Sequence, residues 1–272
     1  MKQLINIYPR LRAFIFFTII RIKRYIRVFL GKPIYYVIGD SHTLCFQSDY
    51  FEIFHVGPAT AYKLNFKNST TKGREKTINV LDKLYKNKKI YAIFVFGEID
   101  ARIHVNKFAN EKKISIKEVI HNTAKSYLSF LNFVHRKYPL ININVFNILP
   151  PGEEENIYNY AFYANRKKRQ TIIKKLNKTL KDYSGKLGFN FIQVYEGLID
   201  IKGDRKKEFI FDNAHYNRKI MPFVVEQLEL LDGNKNSNVP EKVWIILYIG
   251  FTVLVLFIYI FVLLCRGEIC LR

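Results

Sequence analysis

The chain has 272 residues, 49% hydrophobic and 25% charged, which excludes both a disordered polyelectrolyte and a protein wholly embedded in a membrane. Lys and Arg number 44 against 23 Asp and Glu, so the net charge of +21 favours an anionic surrounding such as a membrane surface, a nucleic acid or an acidic glycan. The three cysteines, Cys45, Cys265 and Cys270, are too few for a disulfide scaffold, and no Cys/His spacing fits a zinc site. We therefore predict no metal and no cofactor.

The N-terminal segment, residues 1–33, is basic and surrounds an apolar run at 13–20 that is too short to cross a bilayer. The basic stretch after this run does not fit the small-residue cleavage site of a signal peptide. We predict an amphipathic helix over 3–30 that lies on an anionic membrane surface. A helix packed on the domain with its cations in solvent is an equally open alternative, and an uncleaved signal anchor is a third. The cations are Lys2, Arg10, Arg12, Arg21, Lys23, Arg24 and Arg27.

The middle of the chain alternates between two kinds of pattern. Runs rich in Ile, Val, Phe and Tyr predict strands at 34–38, 51–56, 90–96, 141–148 and 189–194. Helical patterns predict helices at 76–87, 115–137, 164–187 and 217–231. Such alternation predicts a parallel sheet covered on both faces. The predicted fold class is therefore α/β, a three-layer α/β/α, flavodoxin-like domain over 34–232 with a five-stranded parallel sheet.

The C-terminal part begins with a polar linker, residues 233–242. Residues 243–265 then carry no charge, and as a helix they would be roughly 34 Å long against a hydrocarbon core of about 30 Å. We predict a single C-terminal transmembrane helix there, followed by a short tail at 266–272. The positive-inside count is tied, and the basic N-terminus without a cleavable signal favours a single-pass, tail-anchored protein whose domain lies in the cytosol.

The first predicted strand ends in the sequence Ile-Gly-Asp-Ser-His, which places Ser41 at the carboxyl end of a strand, where open parallel sheets bind their ligands. The N–H of Ser41 would begin the next helix, where unpaired amides and the helix dipole stabilise an oxyanion. Taken alone, Gly-Asp-Ser is more often an ordinary turn with a helix cap. His42 is expected to line the substrate cleft or to be solvated.

A second motif, Asp212-Asn213-Ala214-His215, stands just before the last predicted helix. In a tight loop, Asp and His three residues apart bring the carboxylate to the imidazole Nδ1–H, so that Nε2 can accept a proton from a nearby hydroxyl. Taken alone, this tetrad is more often a capping Asp beside a surface His.

Together the two motifs resemble the SGNH/GDSL hydrolase family, in which the first block carries the nucleophilic serine and the last block is Asp-x-x-His. The resemblance implies Ser41, His215 and Asp212 as the catalytic residues, and it covers the whole 34–232 domain. The Gly57 block after the second strand resembles the second block of that family, whose glycine N–H joins the oxyanion hole. The Asn-Ile-Leu-Pro-Pro stretch at 147–151 fits the fourth strand of the family, which runs into a loop over the site.

The third block departs from the family pattern Gly-x-Asn-Asp, because Ile99 stands where the asparagine would donate to the oxyanion. Losing one such donor costs roughly 10²- to 10³-fold in turnover, so another donor should replace it. Arg102 and His104 are the donors just downstream. We expect Arg102 to point into the site, held by the carboxylate of Glu98 or Asp100. The alternative is that 98–102 is only an ion-paired loop.

These observations predict a membrane-anchored serine esterase that acts on O-acyl groups, O-acetyl included, of a glycan or glycolipid. Two alternatives stay open: an O-acyltransferase with the same triad, and a non-catalytic membrane-tethered protein that binds glycan or lipid. Lysine-rich stretches at 67–89 and 166–186 are solvated helix faces or a cationic surface toward lipid headgroups or acidic glycan. No nucleic-acid partner is expected, since no binding motif accompanies the charge.

Overall fold

A computed structural model describes residues 2–86, 88–152, 163–231 and 252, with the backbone alone for 2–12. The chain divides into two compact units, Met1–Leu228 and Glu229–Arg272. The predicted linker, transmembrane helix and tail lie outside the described residues, apart from residue 252. Among the helices that the structure describes, none is both long and apolar enough to cross a membrane.

The sheet has the five predicted strands, and each observed strand lies within three residues of its predicted bounds. They are β1 (Tyr35–Gly39), β2 (Phe51–His55), β3 (Ile90–Val95), β4 (Ile141–Phe146) and β5 (Asn190–Ile192). Their order is β2-β1-β3-β4-β5, and every neighbouring pair is parallel. The α/β fold class with a five-stranded parallel sheet is confirmed. All carboxyl ends therefore meet at one edge of the sheet.

Six α-helices occur in the described part of the chain. They are α1 (Lys2–Phe29), α2 (Gly73–Leu84), α3 (Val105–Lys112), α4 (Ile116–Lys137), α5 (Arg166–Lys186) and α6 (Met221–Leu231). Ser115 caps α4 by accepting from the amide of Glu118, and Asn165 caps α5 in the same way through the amide of Lys168. Helix α3 was not predicted, because its eight residues are too short to show a clear period.

Both faces of the sheet are buried, which accounts for the near-continuous apolar runs of the strands. Neighbouring residues of β1 point to opposite faces, so Ile38 joins one core cluster and Val37 the other. The first cluster includes Tyr127 of α4 and Leu176 of α5. The second includes Val224 of α6. The domain is thus layered as helix, sheet and helix.

Helix α1 is attached to this domain by two of its arginines. Arg24 donates to the carbonyl of Phe51 and lies 3.8 Å from the Glu52 carboxylate. Arg27 lies over the ring of Tyr50, 3.6 Å from its centroid. These two cations therefore contact the domain, and face neither a lipid surface nor open solvent.

A separate face of α1 is exposed. Phe14, Phe17, Arg21, Tyr25 and Val28 are all exposed and follow one another at intervals of three or four residues, which places them along one side of a helix. Helix α1 thus combines a cationic attachment to the domain with a mainly apolar outer face, and we name this outer face the α1 stripe.

Candidate active site

Three predicted residues converge at the carboxyl edge of the sheet. The Oγ atom of Ser41, directly after β1 and Asp40, lies 2.8 Å from Nε2 of His215. The Nδ1 atom of the same ring lies 2.8 Å from Oδ2 of Asp212 and 3.0 Å from its Oδ1. A carboxylate can only accept, so Nδ1 donates and Nε2 is left to accept the hydroxyl proton of Ser41. The arrangement is that of a nucleophile, a base and a residue that orients the base.

The loop that carries the base is closed by the carboxylate of Asp212. Its Oδ1 accepts the backbone amides of Ala214 at 2.8 Å and of His215 at 2.7 Å. Burial raises the pKa of Asp212, but the hydrogen bonds from the His215 side chain and from these two amides outweigh it and hold the pKa below its usual value. Asp212 therefore stays a carboxylate and fixes the imidazole tautomer.

The turn after β1 differs from the predicted helix start. Ser41–Cys45 form a short 3-10 turn, capped by Asp40, whose Oδ1 accepts the amide of His42 at 2.9 Å. A helix thus begins at Ser41 as predicted, but five residues in 3-10 geometry do not build the aligned dipole of an α-helix, so the predicted dipole contribution is wrong.

His42 is not solvated, since only 7% of it is exposed, and it lines a small cavity. Its Nδ1 lies 3.1 Å from Oδ1 of Asp40 and its Nε2 lies 3.0 Å from the carbonyl oxygen of Ala214. Its ring also lies 5.1 Å from the ring of His215, centroid to centroid. The contact between His42 and Ala214 has no signal in the sequence, because the two residues are 172 positions apart.

Gly57 lies in the loop after β2 with φ at +91°, a conformation that favours glycine. Asp100 holds the continuation of this loop, because its carboxylate accepts the amides of Ala61 at 2.7 Å and Tyr62 at 3.2 Å. Asp100 is fully buried, and burial raises its pKa to about 7, although the two amides lower it. Asp100 therefore links two loops of the fold. This differs from the predicted roles of Asp100, which were to contact substrate or to hold Arg102.

Glu98 is the carboxylate that binds Arg102, with Nε donating to Oε1 at 2.7 Å. Glu98 also lines a small cavity together with Asp40 and His42. Arg102 belongs to a π-helical turn, Asp100–His104, a feature common at functional sites. The orientation of the Arg102 side chain toward Ser41 stays a prediction. Ile99 is the cap residue at which this π-helical turn begins.

His104 stacks on the ring of Phe108, 5.3 Å away. Burial lowers the pKa of His104, and the charges of Lys63, Lys107 and Arg102 lower it further. A neutral ring packed on an aromatic side chain fits a structural role, and substrate binding by His104 stays a prediction.

The loop after β4 contacts the loop of the base. Gly152 has its Cα so close to Asn213 that a Cβ there would lie 1.5 Å from the Asn213 carbonyl oxygen. Arg205 is buried and donates to the carbonyls of Asp212 at 3.2 Å and Asn213 at 3.4 Å. The hydroxyl of Tyr216 donates to the carbonyl of Pro150 at 2.9 Å. These contacts position the base, and neither Arg205 nor Gly152 stood out in the sequence.

No protein-family model and no curated protein matches the chain. Solved structures do resemble it. The chain is similar in structure to GDSL-like hydrolases. A GDSL-like lipase from Bacteroides thetaiotaomicron is 15% identical, with 71% of this chain and 86% of that chain covered and a TM-score of 0.47.

Two further solved structures are a carbohydrate acetylesterase from Sinorhizobium meliloti and a phospholipase A1 from Streptomyces albidoflavus. The first is 13% identical, with 74% of this chain and 99% of that chain covered and a TM-score of 0.45. The second is 12% identical, with 73% and 98% covered and a TM-score of 0.41. At these identities a likeness concerns the fold, and function has to be argued from the chain's own side chains.

Proposed function

We propose that this chain is a serine esterase of the SGNH/GDSL type, which transfers the acyl group of an ester to water through Ser41. The observation that carries the proposal is the continuous line of hydrogen bonds from Ser41 through His215 to Asp212. A protein that only binds glycan or lipid has no need of a base within proton-transfer distance of a hydroxyl.

In the first half of the reaction, the Oγ of Ser41 attacks the ester carbonyl carbon while its proton passes to Nε2 of His215. The charged ring is stabilised by Asp212, and it then gives the proton to the departing alkoxide as the carbon–oxygen bond of the ester breaks. In the second half, His215 takes a proton from water, and the hydroxide so formed attacks the acyl-serine. The ring then returns the proton to Oγ, and a carboxylic acid leaves.

The oxyanion of each tetrahedral intermediate is proposed to accept from the amides of Ser41 and Gly57. The glycine conformation at Gly57 and the buried link through Asp100 support the second donor, because both fix the direction of this loop. Arg102 is proposed as the third contributor, in place of the asparagine that Ile99 replaces. Its ion pair with Glu98, beside the cavity shared with His42, supports this placing.

The proposed substrate is an O-acyl group, O-acetyl included, on a glycan or glycolipid in anionic surroundings. Support comes from the charge of the chain and from α5, which exposes a row of lysines. They are Lys167, Lys168, Lys174, Lys175, Lys178, Lys181 and Lys186. Such a surface raises the local concentration of anionic substrates.

We also propose that the α1 stripe lies on an anionic lipid surface. Four of its five side chains are apolar or aromatic, with Phe14 67% and Tyr25 76% exposed, and the fifth is the cation Arg21. Exposed apolar surface next to cations is what interfacial helices offer to lipid. The attachment through Arg24 and Arg27 would hold the domain against that surface.

The experiment is hydrolysis of p-nitrophenyl acetate by the intact chain. We expect release of p-nitrophenol that Ser41→Ala lowers to the uncatalysed background. Ser129→Ala, an exposed serine on α4, is the matched control and should leave the rate unchanged. Absence of Ser41-dependent release with acetyl, butyryl and octanoyl esters, with and without added sugar acceptors, would overturn the esterase proposal in favour of a binding protein.

A further inference from the structure

His42 has an acceptor at each of its two ring nitrogens. Nε2 faces the carbonyl oxygen of Ala214 at 3.0 Å, and a carbonyl can only accept. Nδ1 faces Oδ1 of Asp40 at 3.1 Å, and this oxygen already accepts the amide of His42 itself. Both ring nitrogens therefore donate, and an imidazole that donates from both is the imidazolium.

These two bonds join the turn of the nucleophile to the loop of the base. Asp40 directly precedes Ser41, and Ala214 directly precedes His215. The backbone of Ala214 is held on its other side as well, because its amide donates to Asp212. A shift of this peptide would move the His215 ring away from Ser41, so a clamp on its carbonyl controls the 2.8 Å separation between base and nucleophile.

We propose that Asp40 and a doubly protonated His42 form a second, buried Asp–His pair whose task is to hold the Ala214 carbonyl and thereby position the catalytic base. His42 is a positioning residue, since it acts through the Ala214 peptide. The inference rests on the proposed function for its effect on catalysis, but not for the protonation of the ring.

The surroundings of the ring favour its charged form. Burial lowers the pKa of His42, but the hydrogen bond and charge of Asp40 outweigh this effect and, with the charge of Glu98 and the Ala214 carbonyl, raise the pKa to about 9. The ring of His215 is the other titratable group that faces it. Below about pH 9 both ring nitrogens of His42 donate, one to Asp40 and one to Ala214. Above this pH the ring loses one proton, and one of the two hydrogen bonds is lost with it.

Two variants of His42 test its hydrogen bonds to Asp40 and to Ala214 separately. In His42→Asn the side-chain amide can replace Nδ1 toward Asp40 but cannot reach Ala214, whereas in His42→Gln it can reach Ala214. We expect His42→Asn to lower kcat roughly 10- to 100-fold with KM nearly unchanged, since small misplacements of a reacting group have effects of this size. His42→Gln should keep most of the wild-type kcat at pH 7. His121→Asn, an exposed histidine on α4, is the control.

The pH profile and the ring nitrogens give readouts that a general loss of stability does not move. We expect kcat of the wild type to fall above about pH 9 and this alkaline limb to be absent in His42→Gln. In ¹⁵N NMR spectra of the intact chain, one ring should show two protonated nitrogens at pH 7 to 8, and His42→Gln should remove that signal. The NMR result is independent of turnover. An inactive chain that still gives the signal would therefore contradict the esterase proposal but not the protonation of His42.

The inference is overturned if the NMR spectra contain no such imidazolium, or if His42→Asn and His42→Gln both match the wild type in kcat. It is equally overturned if the loss in His42→Asn is confined to KM. If His42→Asn fails to fold, the pH profiles of the other two proteins are the test. A fall in kcat above about pH 9 in the wild type but not in His42→Gln supports the inference, and the same profile in both overturns it.

Discussion

The hydroxyl of Ser41 owes its proposed reactivity to an imidazole 174 residues further along the chain. An alcohol is a weak nucleophile at neutral pH, and it becomes a strong one when a neutral, correctly oriented base accepts its proton. Asp212 supplies that orientation through one bond to the ring and two to the backbone of the same loop. The chemistry therefore depends on the tautomer of His215 as much as on its distance.

At this scale we predict that Asp212→Asn abolishes most of the turnover while leaving the fold intact. The amide of Asn would donate to Nδ1 and turn the ring to the tautomer that carries its proton on Nε2, which cannot accept from Ser41. The expected loss in kcat is about 10³- to 10⁴-fold. Steady-state kinetics with far-ultraviolet circular dichroism would test this, and a variant within 10-fold of wild type would contradict it.

Single residues also mark the limit of prediction from sequence. Ser41, Asp212 and His215 could be predicted because the two short motifs that carry them together resemble the first and last blocks of the SGNH/GDSL family, whereas either motif alone favours a turn or a helix cap. The contacts of His42 and Asp100 could not, because their partners, Ala214 and the amides at 61 and 62, are backbone groups brought close only by the fold. The Asp-Ser-His spacing at 40–42 was the one available signal for His42, and it reads equally well as a turn.

The elements gather these residues because β1, β2, β3 and β4 are parallel and end at one edge. The loops after them are tied to one another by buried contacts: Asp100 joins the third loop to the second, and Gly152 packs the fourth against Asn213. The base is thus held by its neighbours, not by its own loop alone.

A test at this scale is Gly152→Ala. Its new Cβ would overlap the carbonyl of Asn213, so the loop of the base must move, and we expect kcat to fall at least about 10-fold and stability by about 1 to 3 kcal/mol. Gly185→Ala on α5 meets open space and is the control, expected to be neutral or up to about 1 kcal/mol more stable. Kinetics and chemical denaturation measure both, and unchanged kcat in Gly152→Ala would contradict the packing argument.

Most elements could be predicted because buried parallel strands and amphipathic helices have clear periods. The exceptions are short: the 3-10 turn after Ser41, the π-helical turn at Asp100–His104, and helix α3. Each has eight or fewer residues, and tertiary contacts, not local pattern, decide its geometry.

At the scale of the whole molecule, the net charge of +21 and the α1 stripe both favour binding to an anionic lipid surface. Charge brings the chain to an anionic surface from a distance, and exposed apolar side chains provide contact once it arrives. Two arginines of α1 contact the domain, so charge counting in the sequence overestimated how many cations this helix offers to lipid.

We predict that the α1 stripe contacts lipid directly. A photoreactive benzoylphenylalanine in place of Phe17 should form lipid adducts in vesicles that contain phosphatidylglycerol, and fewer in phosphatidylcholine vesicles or at high salt. The same group in place of Ile201, which is fully exposed elsewhere on the domain, is the control. Equal adduct yields at both positions, or none at 17, would contradict lipid contact through α1.

The most direct test of the whole account is covalent trapping of the nucleophile. A fluorophosphonate ester should react with the intact chain by forming a bond from phosphorus to the Ser41 Oγ with loss of fluoride, while His215 takes the proton. Peptide mass spectrometry should find the adduct on Ser41 and find it formed at least about 100-fold more slowly in His215→Ala. No adduct on Ser41, or labelling at the same rate without the imidazole, would contradict the account.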